Sequence, residues 1–120
     1  MSEEYPEIIL VRTPITRDML KNLADERQMG FVKAVVDLEQ NVMALGATMH
    51  VDEEQYLLEN GSTQANLWGI NFHPHETDED FLEFNSMINI RPWQGNRSRD
   101  IVSVEIQKKI KDLVANLIPV

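Results

Sequence analysis

Between Phe31 and Ala47, two apolar runs of strand length flank the dipeptide Gln40-Asn41, the first with Lys33, Asp37 and Glu39 all at odd-numbered positions, and no other stretch constrains the fold as much. A period of two marks a strand with one face buried, and two such runs around a short turn make an antiparallel hairpin. A two-residue turn at Gln40-Asn41 pairs Leu38 with Met43 and Val36 with Leu45. Ala34, Val36, Leu38, Met43, Leu45 and Ala47 then share a core face while Lys33, Asp37 and Glu39 point away. Gln-Asn is a weaker turn signal than Asn-Gly, but the parity of the two runs agrees. The chain therefore needs a sheet and something apolar to cover it.

The flanking sequence supplies both. Residues 1–6 read as a disordered N-terminus, and Glu7 to Arg12 is an apolar run of strand length, broken by Thr13-Pro14. Thr16 is placed to cap a helix over about residues 17–28, in which Met19, Leu20, Leu23 and Ala24 recur at helical spacing. A second helix is expected over 53–60, capped by Asp52, with Gln55 reaching back, a Val51–Tyr56 staple and Gly61 just past its end. Leu67 to Phe72 and Phe81 to Arg91 read as strands, the first presenting Trp68, Ile70 and Phe72 on one side and the second Leu82, Phe84, Ser86, Ile88 and Ile90. Pro92 ends the second, and Ser103 caps a last helix with Ile106, Ile110, Leu113, Val114 and Leu117 in one stripe. The order β-α-β-β-α-β-β-α predicts a two-layer α+β domain spanning residues 7–120, its sheet mostly antiparallel and its helices on one face. The first six elements also fit the split β-α-β arrangement called ferredoxin-like.

One core must serve all of this, because 120 residues without a Pro/Gly/Ser-rich linker or a repeat leave no room for a second domain. No apolar run nears the roughly 18 residues that cross a bilayer, and Met1-Ser2-Glu3-Glu4 has no signal-peptide character, so a cytoplasmic protein is expected. With zero cysteines, a disulfide framework, a thiolate zinc site and a cysteine nucleophile are excluded.

Charge is polarised along the chain. Residues 34–90 carry eleven acids and no Lys or Arg, while Arg91, Arg97, Arg99, Lys108, Lys109 and Lys111 gather in the last thirty residues of a chain whose net charge is −9. Such polarity suits either internal pairing or an anion site at the basic end. Asn71, on one strand, and Asn89, on the next, stand opposite the core face, where asparagine is a poor strand former and hydrogen bonding explains it better. Arg91, Asn96, Arg97, Ser98 and Arg99 follow in a loop around Gly95, and guanidinium groups there can grip a phosphate or carboxylate bidentately. The competing reading has these arginines capping carbonyls or pairing with Asp37, Glu39, Glu53 or Glu83.

Four segments carry a resemblance: Lys33-Ala34-Val35-Val36-Asp37-Leu38-Glu39, Leu67-Trp68-Gly69-Ile70-Asn71, Ser86-Met87-Ile88-Asn89-Ile90-Arg91-Pro92 and Gln94-Gly95-Asn96-Arg97-Ser98-Arg99. Together, over residues 31–99, they resemble a family of small bacterial proteins known only as a domain of unknown function. The resemblance implies a bacterial, cytoplasmic source and adds weight to the basic loop; it implies no reaction. His73-Pro74-His75 and the last helix lie outside the recurrent segments.

Other chemistries are thinly represented. His50, Glu53 and Glu54, or His73, His75, Glu76, Asp78, Glu79 and Asp80, are metal-ligand types, but no HExxH or EF-hand spacing joins them, so no metal or cofactor is expected. The catalytic cast available is Asp37 or Glu39 as general base and His50 as acid or proton shuttle, with the arginines stabilising charge. Trp93 among arginines could stack on a base, but the net charge opposes a nucleic-acid partner. The expectation is an anionic small molecule or a protein partner held by the loop 91–99, by a monomer or homodimer; the alternative is a small hydrolase or transferase working on a phosphorylated substrate there.

Overall fold

The computed structural model describes residues 7–119; the disordered N-terminus expected at 1–6 lies outside the described residues. In chain order the elements are β1 (Ile9–Val11), α1 (Arg17–Glu26), β2 (Val32–Asp37), β3 (Val42–Leu45), α2 (His50–Glu59), β4 (Leu67–Phe72), β5 (Leu82–Glu83) and α3 (Val104–Leu117). Short 3₁₀ turns occupy residues 64–66, 78–80, 87–89 and 92–94. The strands form one antiparallel sheet in the order β1-β3-β2-β4-β5, and the class is α+β.

The strand order departs from the ferredoxin-like arrangement. That arrangement holds β1 inside the sheet between β3 and β4, whereas here β1 is an edge strand bonded to β3 alone and β4 joins β2. Length and burial explain this: β2 and β4 are the two six-residue strands and share the longest ladder, while three-residue β1 suits an edge.

The main layer is the expected packing of helices on a sheet. Leu20, Leu23 and Ala24 of α1 and Ile110, Leu113, Val114 and Leu117 of α3 cover Ala34, Val36, Met43, Leu45, Ile70 and Phe72. Each large apolar side chain buried there contributes about 1.5–3 kcal/mol. Thr16 and Ser103 cap α1 and α3 as expected, accepting from the N–H groups of Met19 and Ile106. Helix α2 does not share that face. Val35 and Ala44 alternate with the core residues and point the other way, and Leu57 of α2 closes over them with Leu67.

Three local expectations are corrected. The hairpin register is Val36↔Met43 and Ala34↔Leu45, so the turn holds four residues, Leu38 to Asn41, rather than two. A shift of two preserves the parity, which is why the core face survives it; the cause is Asp37, whose carboxylate accepts from the N–H groups of Glu39 and Gln40 and winds the turn, with Asn41 left-handed at φ 58°. Asp37 therefore does not point into solvent but is 1% exposed. Helix α2 starts at His50 rather than 53, without a side-chain cap on Met49, so Asp52 sits inside its first turn. The strand expected over 81–91 ends at Glu83, because the chain then climbs across Gly69. A Cβ on Gly69 would stand 2.5 Å from Ser86 Cβ, so only glycine allows the crossing. The Ser86 hydroxyl then caps the turn at 87–89 by accepting from the Ile88 N–H.

Candidate anion-binding site

The sequence-predicted loop residues divide into two groups. Arg91 is 1% exposed. Its Nε donates to the Ile88 carbonyl at 2.9 Å and its Nη1 to the Gln64 carbonyl at 2.8 Å, its Nη2 donates to the Leu67 carbonyl, and Glu54 lies 3.7 Å away. Burial lowers the pKa of this guanidinium and Glu54 offsets part of that. Asn96 is equally occupied: Nδ2 donates to the carbonyls of Asn89, Ser98 and Asp100, and Oδ1 accepts from Val102 N–H. Asn89, wholly buried, donates to the Gly69 and Arg99 carbonyls and accepts from Gly69 N–H at 2.8 Å. Its carboxamide pairs with Gly69 as a neighbouring strand residue would. Asn89 and Arg91 hold the segment onto β4, Asn96 folds residues 89–102 back on themselves, and the three leave nothing for an outside anion. Arg97 and Ser98 are exposed at the tip of the loop.

The catalytic candidates also separate. Burial pushes the Asp37 carboxyl up, but hydrogen bonds from Ser62, Gln40 and Glu39 outweigh it and hold the carboxyl below its ordinary range. It is an anchor for the turn. Glu39 is exposed and accepts from Asn66 Nδ2 at 3.2 Å. His50, the expected acid or proton shuttle, lies buried against the sheet, its Nε2 2.8 Å from the Ile70 carbonyl. A carbonyl only accepts, so Nε2 carries the proton.

His50 sits beside a polar row that sequence reasoning did not assemble. Lys33 of β2, Asn71 of β4 and Glu83 of β5 are direct cross-strand neighbours on the face that α2 covers. Asn71 Nδ2 donates to Glu83 Oε1 at 3.1 Å and to the Asn85 carbonyl at 3.0 Å. Asn85 Oδ1 in turn accepts from Arg99 Nε at 2.9 Å, which ties Arg99 to the row. His73, stacked on Phe31, reaches Glu83 Oε1 at 2.9 Å. An open cleft of about 430 Å³ runs between Glu83–Asn85 and Ser98–Asp100 with Arg99 on its wall.

The electrostatics follow from this geometry. Burial lowers the His50 pKa, hydrogen bonds with the Ile70 carbonyl and the Asn71 side chain oppose it, and the positive charges of Lys33 and Arg99 lower it further. The imidazole is therefore biased towards its neutral form, with a lone pair on Nδ1. Glu53, one turn further along α2, accepts from Ala47 N–H at 3.0 Å, and burial pushes its carboxyl well above the usual range. Glu83 is held low, first by its hydrogen bond with His73. Two buried oxygens here, Asn71 Oδ1 and Glu53 Oε1, have no hydrogen-bond partner among the described residues. Neither Lys33 nor Arg99 makes an ion pair among the described residues.

The metal-ligand types are dispersed: His75 meets Asp25 at 3.0 Å, Arg17 takes Asp78 at 2.7 Å, and no group of three His, Asp or Glu side chains is gathered among the described residues. Lys33 and Asn85 were missing from the sequence-based set, and Glu83 and Glu53 entered it only as pairing partners of the arginines or, for Glu53, as a metal-ligand type. Alternation already put Lys33, Glu83 and Asn85 off the core face; the cross-strand register that joins them was not readable.

Fold and site together define a small α+β domain whose antiparallel sheet carries a helix-packed core on one face and a partly unsatisfied polar row on the other. The chain matches the family model described as a protein of unknown function, DUF5674, over residues 9–117, and it belongs to that family. The match extends well beyond the 31–99 stretch that carried the resemblance. No curated protein and no solved structure matches the chain significantly.

Proposed function

We propose that the protein binds a small anionic molecule where Arg99 and Lys33 flank Asn71 and His50, rather than at the tip of the loop 91–99. The observation that carries this is a contrast in one short segment: Arg91 has its donors occupied by carbonyls, while Arg99 uses Nε to fix its position and keeps its remaining donors without a protein partner among the described residues. In a chain of net charge −9, unpaired cations beside an imidazole biased towards its neutral form favour an anion locally. A bacterial, cytoplasmic setting belongs to this proposal and is in keeping with a cysteine-free chain.

The test is a thermal-shift screen at low ionic strength against sulfate, phosphate, dicarboxylates and sugar phosphates. A ligand at about 100 times its Kd adds about 2.7 kcal/mol of stability. Stabilisation that disappears in Arg99→Ala and persists in Arg97→Ala supports the reading. A flat screen, or a shift indifferent to Arg99→Ala, refutes it.

One observation favours the second reading, hydrolysis or transfer on a phosphorylated substrate: the neutral-biased His50 sits close to two cations. Phosphate release from a phosphomonoester, lost in His50→Gln while the fold persists, would establish it.

A further inference from the structure

A bare anion meets a difficulty in the cleft that Arg99 lines. The wall of that cleft carries one guanidinium and two carboxylates, Glu83 and Asp100, so an anion drawn to Arg99 also approaches two like charges. These charges do not cancel one another: Arg99 makes no ion pair with Glu83 or Asp100, although all three line the same space. All three side chains belong to exposed residues, and each keeps bonding capacity among the described residues. Arg99 commits Nε to Asn85 and leaves its Nη1–Nη2 fork without a partner. Glu83 meets Asn71 and His73 through Oε1 and leaves Oε2. Asp100 accepts from the Ile101 N–H through Oδ1 and leaves Oδ2. The hydrogen bond with His73 holds the Glu83 carboxyl below its ordinary range, so this acid stays charged at neutral pH.

We infer that the ligand carries an ammonium group as well as its anionic group, as an amino acid or an aminoalkyl phosphate does, with its oxygens on the free fork of Arg99 and its ammonium on Glu83 and Asp100. The inference rests on the anion-binding reading above, taken at Arg99, and adds the opposite charge. A guanidinium fork matches a carboxylate or phosphate, and an ammonium has three donors for the two free carboxylate oxygens. The same two acids then act as a filter: they attract the ammonium and repel an anion that lacks one. A cleft of about 430 Å³ lies within the range usual for small-molecule sites.

Matched ligand pairs test it. β-Alanine and propionate share a carboxylate, phosphoethanolamine and ethyl phosphate share a phosphate, and only the first of each pair carries an ammonium. Each would be titrated into the ¹⁵N-labelled protein at pH 7.5 and low salt, and its Kd read from amide shifts. The expected result is a Kd about tenfold tighter for the ammonium-bearing member, in the carboxylate pair for an amino acid or in the phosphate pair for an aminoalkyl phosphate. Binding should weaken in Arg99→Ala and stay unchanged in Arg97→Ala. The doubly neutralised variant, Glu83→Gln with Asp100→Asn, should shift the two members in opposite directions, weakening the ammonium-bearing ligand and tightening the bare anion. A variant that merely loosened the fold would weaken both, and that result would overturn the role given to the two acids. Equal affinities within both pairs would overturn the inference while leaving anion binding intact. Ethylammonium binding as tightly as β-alanine would also overturn it, since the acidic surface alone would then hold the cation. Absence of binding by all four anions, with no response to sulfate or phosphate, would overturn the anion reading and this inference with it.

Discussion

Two regions of this domain are built from the same residue types and do opposite things. In the segment 86–102, Asn89, Arg91 and Asn96 are buried and their polar atoms meet backbone groups. In the row Lys33, Asn71 and Arg99, with His50 beside it, cations have no counter-ion and a buried amide oxygen has no donor among the described residues. Arginine and asparagine by themselves therefore signal neither a site nor a scaffold; what distinguishes the two is which hydrogen-bonding groups are already occupied. A satisfied polar cluster fixes conformation, and an unsatisfied one retains binding capacity.

The largest expected effect breaks the first region. Arg91→Ala strands three carbonyls and leaves Glu54 without its cation, so urea denaturation should show a loss of about 3–5 kcal/mol. Arg91→Lys should recover little, because an ammonium cannot span the same fork of acceptors. Next comes the crossing point: Gly69→Ala drives a methyl into Ser86 and should cost about 1–3 kcal/mol. Ser86→Gly in the same chain should restore part of that loss, whereas a loss indifferent to Ser86 would point to β4 itself.

A pH comparison sharpens the second region. The folded-state pKa of His50 is lowered, so the folded protein takes up fewer protons than the unfolded chain. The stability this represents is present above the ordinary value of 6.5 and is lost as pH falls through the lower, folded-state value. Lys33, Arg99, Asn71 and Glu53 surround this group, and the raised Glu53 acts with the opposite sign, its contribution being lost as pH rises through its folded value. Thermal melts of the wild type and His50→Gln between pH 7.5 and 5 separate the two: the wild type should lose more Tm on acidification than the variant. The smallest effect belongs to the exposed loop tip, where Arg97→Ala should change stability by no more than about 0.5 kcal/mol.

Much of the scaffold was legible in the sequence. Thr16 and Ser103 announce their helices because a cap is a local hydrogen bond, and the α3 stripe and the strand Leu67–Phe72 show their periods directly. The α+β class follows from those elements. What was hidden is tertiary. Asp37 takes a turn that Gln40-Asn41 only hints at, and the shift by two leaves the alternation intact and so leaves no trace in it. Val35 and Ala44 on the off-core face were the available clue that a helix covers that side too. In the candidate site, Arg99 and Asn71 were singled out from residue type. Their union with Lys33, Glu83 and His50 depends on the β2–β4–β5 register, and the structural role of Arg91 depends on carbonyls 24 and 27 residues away.

The most direct test of this division is amide chemical-shift mapping during a titration with glycerol 3-phosphate at low salt. The account predicts shifts centred on Lys33, His50, Asn71, Glu83–Asn85 and Arg99, with Arg97 and Ser98 little affected. Shifts confined to Arg97 and Ser98, with Lys33 and Asn71 unmoved, would contradict it and return the binding role to the tip of the loop.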